Sequence, residues 1–188
     1  MKRFLLILAA AAALVACGNA PKVSDPLQDA LEAKIKALTS EDAKVTFFKF
    51  EKVDSTTFAQ ELAHRRGQFE LRLSQNEKFY GEYKAKGMQN NMDKKAKAIA
   101  NDKRVLEGFS ILEESLEGRM DDVAYYDFCF SGKAESKDGQ TDFTDYYASI
   151  TPEGEVLSVE PSTKGLHKSL GRVLPGYTEL VKGSDGEE

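Results

Sequence analysis

The sequence contains few of the residues that build covalent scaffolds and metal centres. Its 188 residues include two cysteines, two histidines and no tryptophan. Two cysteines exclude a disulfide-rich scaffold. His64 and His167 lack the spacing of metal ligands, and the sequence has neither a glycine-rich phosphate loop nor a nucleophile-elbow serine. No catalytic residue, metal site or cofactor is therefore predicted.

Positive charge is also scarce. The chain has 26 lysines and arginines against 31 acidic residues, which gives a formal net charge of −5. No tract rich in lysine or arginine stands out against this acidic background. Because nucleic acids are bound mainly through a basic surface, no nucleic-acid partner is expected.

A long hydrophobic run is missing too. The apolar stretch from Phe4 to Val15 covers 12 residues, whereas a helix needs about 20 apolar residues to span a bilayer. Lys2 and Arg3 precede this stretch, and small residues end it. Such a pattern is typical of a secretory signal peptide, which is removed from the mature protein.

The end of this stretch reads Leu14-Val15-Ala16-Cys17 and resembles the lipobox of bacterial lipoproteins. The resemblance implies that the Cys17 thiol receives a diacylglycerol, that the preceding peptide bond is cut and that the new amino terminus is acylated. Cys17 would then be the first residue of the mature protein, and its acyl chains would anchor the protein in the lipid bilayer. The alternative is an ordinary cleaved signal peptide with an incidental cysteine at this position.

The resemblance also implies a location in the cell envelope. In lipoproteins of the best-known sorting type, an aspartate after the lipidated cysteine retains the protein at the inner membrane. Gly18 occupies that position in this chain, which favours the outer membrane. The predicted organisation is a signal peptide at 1–16, a lipidated tether at 17–24, a single domain at 25–180 and a flexible acidic tail at 181–188.

The predicted domain begins with a short helix and a strand. Asp25-Pro26 has the form of a helix N-cap followed by proline, and apolar residues then recur every three or four positions as far as Leu38. Residues 44–53 are rich in β-branched and aromatic residues, which predicts a strand. Apolar residues fall on both of its faces, so we expect both faces to be covered. One face carries Val45, Phe47 and Val53, and the other carries Phe48 and Phe50.

A long helical hairpin is predicted next. Thr57 and Gln60 have capping-box spacing, and two apolar seams of helical periodicity follow, each over roughly 30 residues. Between them, Gly87 suits a C-terminal cap and Asn90 an N-terminal cap. Lysines cluster near this bend, either as the solvated tip of the hairpin or as the end of an arm that contacts a partner or an anionic headgroup surface. These lysines are Lys84, Lys86, Lys94, Lys95 and Lys97.

Three further strands are predicted to complete an antiparallel sheet. Asp138-Gly139 and Pro152-Glu153-Gly154 are the turn signals between them. A two-residue turn at Asp138-Gly139 would place Phe130 opposite Tyr147. The residues then expected on the face of Cys129 are Ala148, Ile150, Leu157 and Val159. The predicted fold class is α+β: an antiparallel sheet of about four strands, with a short N-terminal helix and a long antiparallel helical hairpin inserted between strands 1 and 2.

The aromatic residues of these strands are expected to form core on both faces of the sheet. The alternative is a cleft or partner surface in which Tyr125 and Tyr146 bind a ligand. Cys129 has no basic partner that the sequence can identify, so it is expected to be a small buried residue rather than a nucleophile.

The sequence favours a non-catalytic binding or interaction module of the envelope, with a protein, a glycan or a small apolar molecule as its partner. The alternative is a structural or assembly factor whose hairpin clasps a partner or a second copy of the chain. An enzyme ranks third, because it would need three titratable groups that converge in a cleft. A pocket above roughly 300 Å³ would favour ligand binding, whereas apolar residues exposed along the hairpin would favour assembly.

Overall fold

The structure is a computed structural model and describes residues 25–166 and 170–183. The predicted signal peptide, the tether with Cys17 and Gly18, His167 and residues 184–188 lie outside the described residues. In chain order the elements are α1 (Pro26–Leu38), β1 (Lys44–Thr57), α2 (Phe58–Ala85), α3 (Gln89–Ser115), β2 (Val123–Ser136), β3 (Gly139–Ile150), β4 (Val156–Glu160), α4 (Thr163–Leu166), a 3-10 turn (Leu170–Val173) and α5 (Tyr177–Lys182).

The predicted α+β architecture is confirmed. Four antiparallel strands form one sheet in the order β1-β2-β3-β4, α1 precedes the sheet, and the long helices α2 and α3 lie between β1 and β2 in the chain. Helix α5 ends at Lys182, inside the segment 181–188 that the sequence assigned to a tail. The two faces of the sheet are covered by different helices, which creates two separate cores.

Helix α1 covers one face of the sheet. Asp25 caps it, because its side chain accepts a hydrogen bond from the backbone N–H of Leu27 over 2.9 Å. Leu31 and Ile35 are fully buried against the strands, and burial of such a side chain contributes about 2 kcal/mol. We call this cluster the α1 core. Its buried strand residues are Phe128, Phe130, Ala134, Ala148 and Ile150.

The helical hairpin and the C-terminal segment cover the other face. Helix α2 starts directly after β1 with the predicted capping box: the Gln60 N–H donates to Thr57 Oγ1 (3.3 Å), and the Thr57 N–H donates to Gln60 Oε1 (2.9 Å). We call the cluster beneath these helices the hairpin core. Its buried members are Phe58, Leu62, Phe69, Val105, Phe109, Leu112, Leu116, Ala124, Tyr125, Leu157, Leu170 and Leu174.

The hairpin bends where the sequence predicted, although its second cap differs. Gly87 has a φ of +68°, a conformation that glycine adopts without a steric penalty. Helix α3 begins at Gln89 with Met88 as the N-cap residue and without a side-chain capping bond. The predicted cap at Asn90 is therefore wrong, because the helix has already begun one residue earlier.

The outer part of the hairpin lies beyond the hairpin core. The outermost buried residues are Asn76 in α2 and Asp102 in α3, and residues 77–101 include no buried side chain. At 1.5 Å of rise per residue, α2 continues for roughly 14 Å past Asn76. Packing against the sheet therefore does not determine which residues occupy the end of the arm.

Strand β1 departs from the predicted alternation. A bulge between Phe47 and Lys49 shifts the pairing with β2, so Phe50 joins Phe47 on the α1 core, with ring centroids 6.0 Å apart. Phe48 is 70% exposed, and Val53 is also exposed. The expectation that both faces of β1 are covered is wrong. Strand β1 is an edge strand of the sheet, and the bulge places Phe47 and Phe50 on the same face.

The register of β2 and β3 also differs from the prediction. The turn residues are Lys137-Asp138, and Gly139 already pairs with Ser136. The backbone N–H of Asp138 donates to Ser136 Oγ (3.2 Å), which closes the turn one residue earlier than expected. The earlier turn alone would place Phe130 opposite Asp145. A bulge in β3, where residues 144 and 145 lie opposite the single residue Ser131 of β2, then shifts the pairing by one residue, so Phe130 lies opposite Tyr146 rather than Tyr147.

The bulge in β3 moves residues between the faces of the sheet. Ala148, Ile150 and Val159 belong to the α1 core, whereas the sequence placed them on the face of Cys129. Leu157 lies in the hairpin core, as predicted. A register change of one residue reverses which face a side chain occupies, so the three corrections share one cause.

Candidate functional site

A polar cleft of about 280 Å³ lies where β1 passes into α2. No loop separates the two elements, so the first turns of α2 stand beside the end of β1, and β2 supplies Tyr125 opposite Thr56. The cleft is lined by Asp54, Ser55, Thr56, Gln60, Glu61, His64 and Tyr125. The sequence predicted Tyr125 as a ligand-binding residue, but it did not predict its neighbours.

Glu61 is the centre of a buried hydrogen-bonded group in this cleft. Arg65 Nε donates to Glu61 Oε1 over 2.6 Å, and Tyr125 Oη donates to Glu61 Oε2 over 3.0 Å. All three residues are almost wholly buried. Burial raises the pKa of Tyr125 above its ordinary value, so the phenol stays protonated and remains a donor. These hydrogen bonds connect α2 to β2, and each carboxylate oxygen of Glu61 accepts one of them.

Four titratable groups line the cleft, since Asp54 and His64 accompany Glu61 and Tyr125. His64 is exposed, and its Nε2 lies 2.9 Å from Nε2 of Gln68. Glu61 would have to release Arg65 or Tyr125 before it could bind or deprotonate a ligand. The arrangement thus resembles a structural ion pair more closely than a prepared acid–base site.

Tyr146 lies on the opposite face of the sheet from Tyr125. Its ring packs against Phe143 at 5.2 Å and against Phe130 at 6.0 Å, as part of the α1 core. The structure does not bring the two tyrosines together, so they do not line a shared cleft. The predicted register had hidden this separation, because it assigned strand residues to the wrong faces.

Cys129 is buried, as the sequence predicted. Its Sγ lies 3.8 Å from Asp145 Oδ1, and the same carboxylate accepts from Lys49 Nζ at 3.3 Å. The hydrogen bond to Asp145 raises the pKa of Lys49. Asp145 has a φ of +50° and lies in the bulge of β3, so these contacts stabilise an irregular part of the sheet.

A second polar group crosses the hairpin. Asp102, fully buried on α3, accepts from Arg72 Nε (2.7 Å) and Asn76 Nδ2 (2.9 Å) on α2, and Lys95 Nζ donates to Asn76 Oδ1 (2.8 Å). We call these four residues the polar clamp. Asn76 interrupts the apolar seam of α2 in the sequence. A polar residue at a seam position was the available signal that a buried partner faces it.

An apolar groove of about 460 Å³ lies between α3 and the C-terminal segment. Its one hydroxyl side chain, Ser115, donates to the backbone carbonyl of Leu112 (2.8 Å), and no charged residue is among the described residues of its lining. Ile111 stands at the groove and is 66% exposed. The groove is lined by Gly108, Ile111, Leu112, Ser115, Pro175, Gly176 and Leu180.

This groove was not predicted from the sequence. No element was predicted after the last strand, and Gly108 lies within the apolar seam of α3, where a glycine weakens a helix by about 1 kcal/mol relative to alanine. The structure supplies a reason for the glycine, because a Cβ at position 108 would lie 2.3 Å from Leu180 Cδ1. A glycine inside a helical seam was the local signal of a close approach.

Another depression, of about 530 Å³, lies between the end of α1 and the turn that joins β2 to β3. Its lining mixes apolar residues such as Leu38 and Phe143 with polar residues of the turn, such as Asp138 and Gln140. This mixture lacks the uniform chemistry of the apolar groove. It therefore indicates less about what kind of molecule it could hold.

No family model matches the chain, and neither the curated proteins nor the solved structures contain a significant match to it. Among the described helices, none combines the length and the apolar character that crossing a membrane requires. Residues 25–166 and 170–183 also contain no group of three or more histidine, cysteine, aspartate or glutamate side chains placed to hold a metal ion.

Proposed function

We propose that the chain is a bacterial envelope lipoprotein, anchored through Cys17, whose folded domain is a non-catalytic module that binds a small apolar ligand in the apolar groove. The lipobox-like sequence supports the anchor. The groove supports the binding role, and it is the observation on which this role depends.

The groove has the properties of a small-molecule site. Ligand pockets in proteins measure roughly 300–1,000 Å³ and are lined mainly by apolar side chains, and the groove falls in this range at about 460 Å³. An apolar ligand would cover the exposed side chain of Ile111 and remove it from water, which is favourable by about 25 cal/mol for each Å² covered. A charged ligand would find no counter-charge among the described lining residues.

The polar cleft is a weaker candidate for the same role. Its volume of about 280 Å³ is smaller, and the carboxylate of Glu61 already bonds to Arg65 and Tyr125. A ligand there would have to replace charged hydrogen bonds that hold α2 to the sheet. This requirement also keeps an enzymatic role in third place.

Acyl chains on Cys17 would hold the domain beside the membrane without a membrane-spanning helix. Each buried methylene contributes about 0.8 kcal/mol, so two or three chains make release from the membrane very slow. The tether at 17–24 could extend over roughly 28 Å. The domain would thus lie near the bilayer, where apolar ligands are concentrated.

The anchor is tested in the native host with a radioactive fatty acid. The unmodified chain should carry the label, sediment with membranes and begin at Cys17 by mass spectrometry. Cys17→Ser should lose the label and keep its signal peptide uncut. Cys129→Ser is the matched control, because it removes the other cysteine and should leave labelling and sedimentation unchanged. A labelled Cys17→Ser protein would refute the anchor.

The groove is tested with the fluorescent apolar probe N-phenyl-1-naphthylamine and a purified chain of residues 18–188. We expect saturable binding that Ile111→Asp weakens at least tenfold, or about 1.4 kcal/mol. Leu71→Asp is the matched control, because Leu71 is 61% exposed on α2 and Ile111 is 66% exposed on α3. Equal effects of the two substitutions would show that the probe does not occupy the groove.

The second candidate is an assembly factor, and apolar residues exposed along the hairpin favour it. Leu71, Phe79, Met88 and Ile111 all show a large exposed fraction. A concentration-dependent rise in molar mass by light scattering, abolished by Phe79→Asp, would support self-assembly. A constant monomer mass together with probe binding in the groove would favour the binding module.

A further inference from the structure

The end of the hairpin concentrates positive charge in an acidic chain. Residues 78–97, which we call the arm tip, contain six lysines and two acidic residues, Glu82 and Asp93. Their formal charge is therefore +4, against −5 for the whole chain. Five of the six lysines are exposed, and Lys95 is held by the polar clamp. The exposed lysines are Lys78, Lys84, Lys86, Lys94 and Lys97.

Apolar side chains stand among these lysines. Phe79 is 41% exposed and Met88 is 42% exposed. The ring of Phe79 stacks on Tyr83 at 6.4 Å, and Lys95 Nζ lies 5.4 Å from its centroid. Since the arm tip contributes no buried residue to either core, neither the lysines nor these apolar groups are needed there for packing against the sheet.

We propose that the arm tip binds an anionic phospholipid surface. Lysines are attracted to anionic headgroups by about fivefold in affinity for each charge near the surface. Partly exposed aromatic and thioether side chains can enter the boundary between headgroups and acyl chains, as in other interfacial segments. A nucleic acid or an acidic protein would use the lysines, but the membrane interface also accommodates Phe79 and Met88 beside them.

Binding of the arm tip to anionic lipid is separate from the proposed function and does not depend on the lipid anchor. In an anchored protein, the tether would raise the effective concentration of the arm tip at the membrane. The arm tip is therefore tested without acyl chains, so failure of the anchor and failure of the arm tip give different results. Residues 18–188 retain every described residue and are used for this purpose.

The experiment measures sedimentation of this chain with sucrose-loaded vesicles. Vesicles with about 30% phosphatidylglycerol should bind it, neutral phosphatidylcholine vesicles should not, and binding should fall as salt screens the charges. Substitution of four lysines of the arm tip by glutamine should weaken binding at least about 20-fold. The four lysines are Lys84, Lys86, Lys94 and Lys97.

The matched control changes four exposed lysines elsewhere to glutamine and alters the net charge equally. It should bind within about twofold of the unmodified chain, because the effect depends on where the charges lie. These control lysines are Lys34, Lys44, Lys137 and Lys164. Circular dichroism should show the same melting transition for both quadruple variants, since all eight side chains are exposed.

Two further measurements separate the membrane from other anionic partners. Phe79→Ser should weaken binding to the anionic vesicles and leave binding to soluble polyphosphate unchanged. The proposal would be overturned if the two quadruple variants weakened vesicle binding equally, or if neutral vesicles bound the chain as tightly as anionic ones. It would also be overturned if Phe79→Ser left vesicle binding unchanged while polyphosphate bound as tightly as the vesicles.

Discussion

Gly108 offers a sharp test of how the C-terminal segment packs on the hairpin. A Cβ built at this position would lie 2.3 Å from Leu180 Cδ1 and 3.1 Å from Leu180 Cδ2. Gly67 provides the comparison, because it is also inside a long helix, is exposed, and has no heavy atom within 4 Å of its Cβ position apart from the adjacent residues and the backbone of its own helix. The same substitution should therefore have different consequences at the two positions.

The magnitudes follow from two opposing effects. Glycine to alanine inside a helix is favourable by about 1 kcal/mol, and Gly67→Ala should show this gain in full. At Gly108 the same gain is opposed by overpacking against Leu180, which costs about 1–3 kcal/mol. Leu180 is half-buried and can move in part. We expect Gly108→Ala to be less stable than Gly67→Ala by at least about 1 kcal/mol.

Urea unfolding followed by circular dichroism measures these differences as changes in the free energy of unfolding. Leu180→Ala removes the side-chain atoms that a Cβ at position 108 would overlap. In that background, Gly108→Ala should stabilise the protein by about 1 kcal/mol, the same gain that is expected for Gly67→Ala. If Gly108→Ala in the unmodified chain stabilised the protein as much as Gly67→Ala, Leu180 would not lie against Gly108. Leu180 would then not line the apolar groove beside Gly108.

Three more substitutions test other contacts. Gly132→Ala should destabilise the protein by about 2 kcal/mol or more in urea unfolding. The reason is that its Cβ would lie 2.5 Å from the backbone oxygen of Thr46, which cannot rotate away. An unchanged free energy of unfolding would contradict the β1–β2 register. Asp102→Ala should lower stability by about 1–3 kcal/mol, since it removes the acceptor of Arg72 and the Asn76 amide, and an unchanged midpoint would mean that the polar clamp is not formed. Burial raises the pKa of Tyr125, so the folded state keeps a proton that the unfolded chain releases near pH 10. The contribution of this group to the free energy of unfolding is complete below about pH 10 and declines above it by at most about 1.4 kcal/mol per pH unit. Tyr125→Phe should therefore lose less stability between about pH 10 and pH 12 than the unmodified chain, and parallel pH profiles would contradict the burial of this phenol.

Local signals were sufficient to predict the elements of the fold. The cap at Asp25, the capping box at Thr57 and Gln60, and the bend at Gly87 each depend on residues within four positions of one another, and all three are present. The helical hairpin between the first two strands followed from periodicity over a long segment, which is the most dependable of the sequence patterns.

The wrong predictions concern strand residues, whose face of the sheet changes when the pairing of two strands shifts by one residue. The bulge after Phe47 in β1 and the bulge before Tyr146 in β3 each shift the strand pairing by one residue, and no local pattern marks either displacement. Because side chains alternate between faces, these shifts reassigned Phe50 and Ile150 and also separated Tyr146 from Tyr125.

The candidate site was harder to predict than the fold. The apolar groove depends on Gly108 meeting Leu180, and the buried group depends on Glu61 meeting Tyr125, which are pairs far apart in the chain. Periodicity reports which face of a helix is apolar, but it does not report which distant residue faces it. Gly108 and Asn76 were visible as irregularities in the seams, and each marks a tertiary contact.

The placement of α1 would have a mechanical consequence if the protein is anchored through Cys17, as we propose. Tension between the bilayer and any captured partner would enter at Asp25 and reach α1 before the sheet. Helix α1 is held through Leu31 and Ile35 on one face of the sheet, whereas the groove lies on the opposite side, above the hairpin core. Under load, α1 should detach from the sheet before the other elements unfold. Its 13 residues would then lengthen the tether, and the groove would keep its shape.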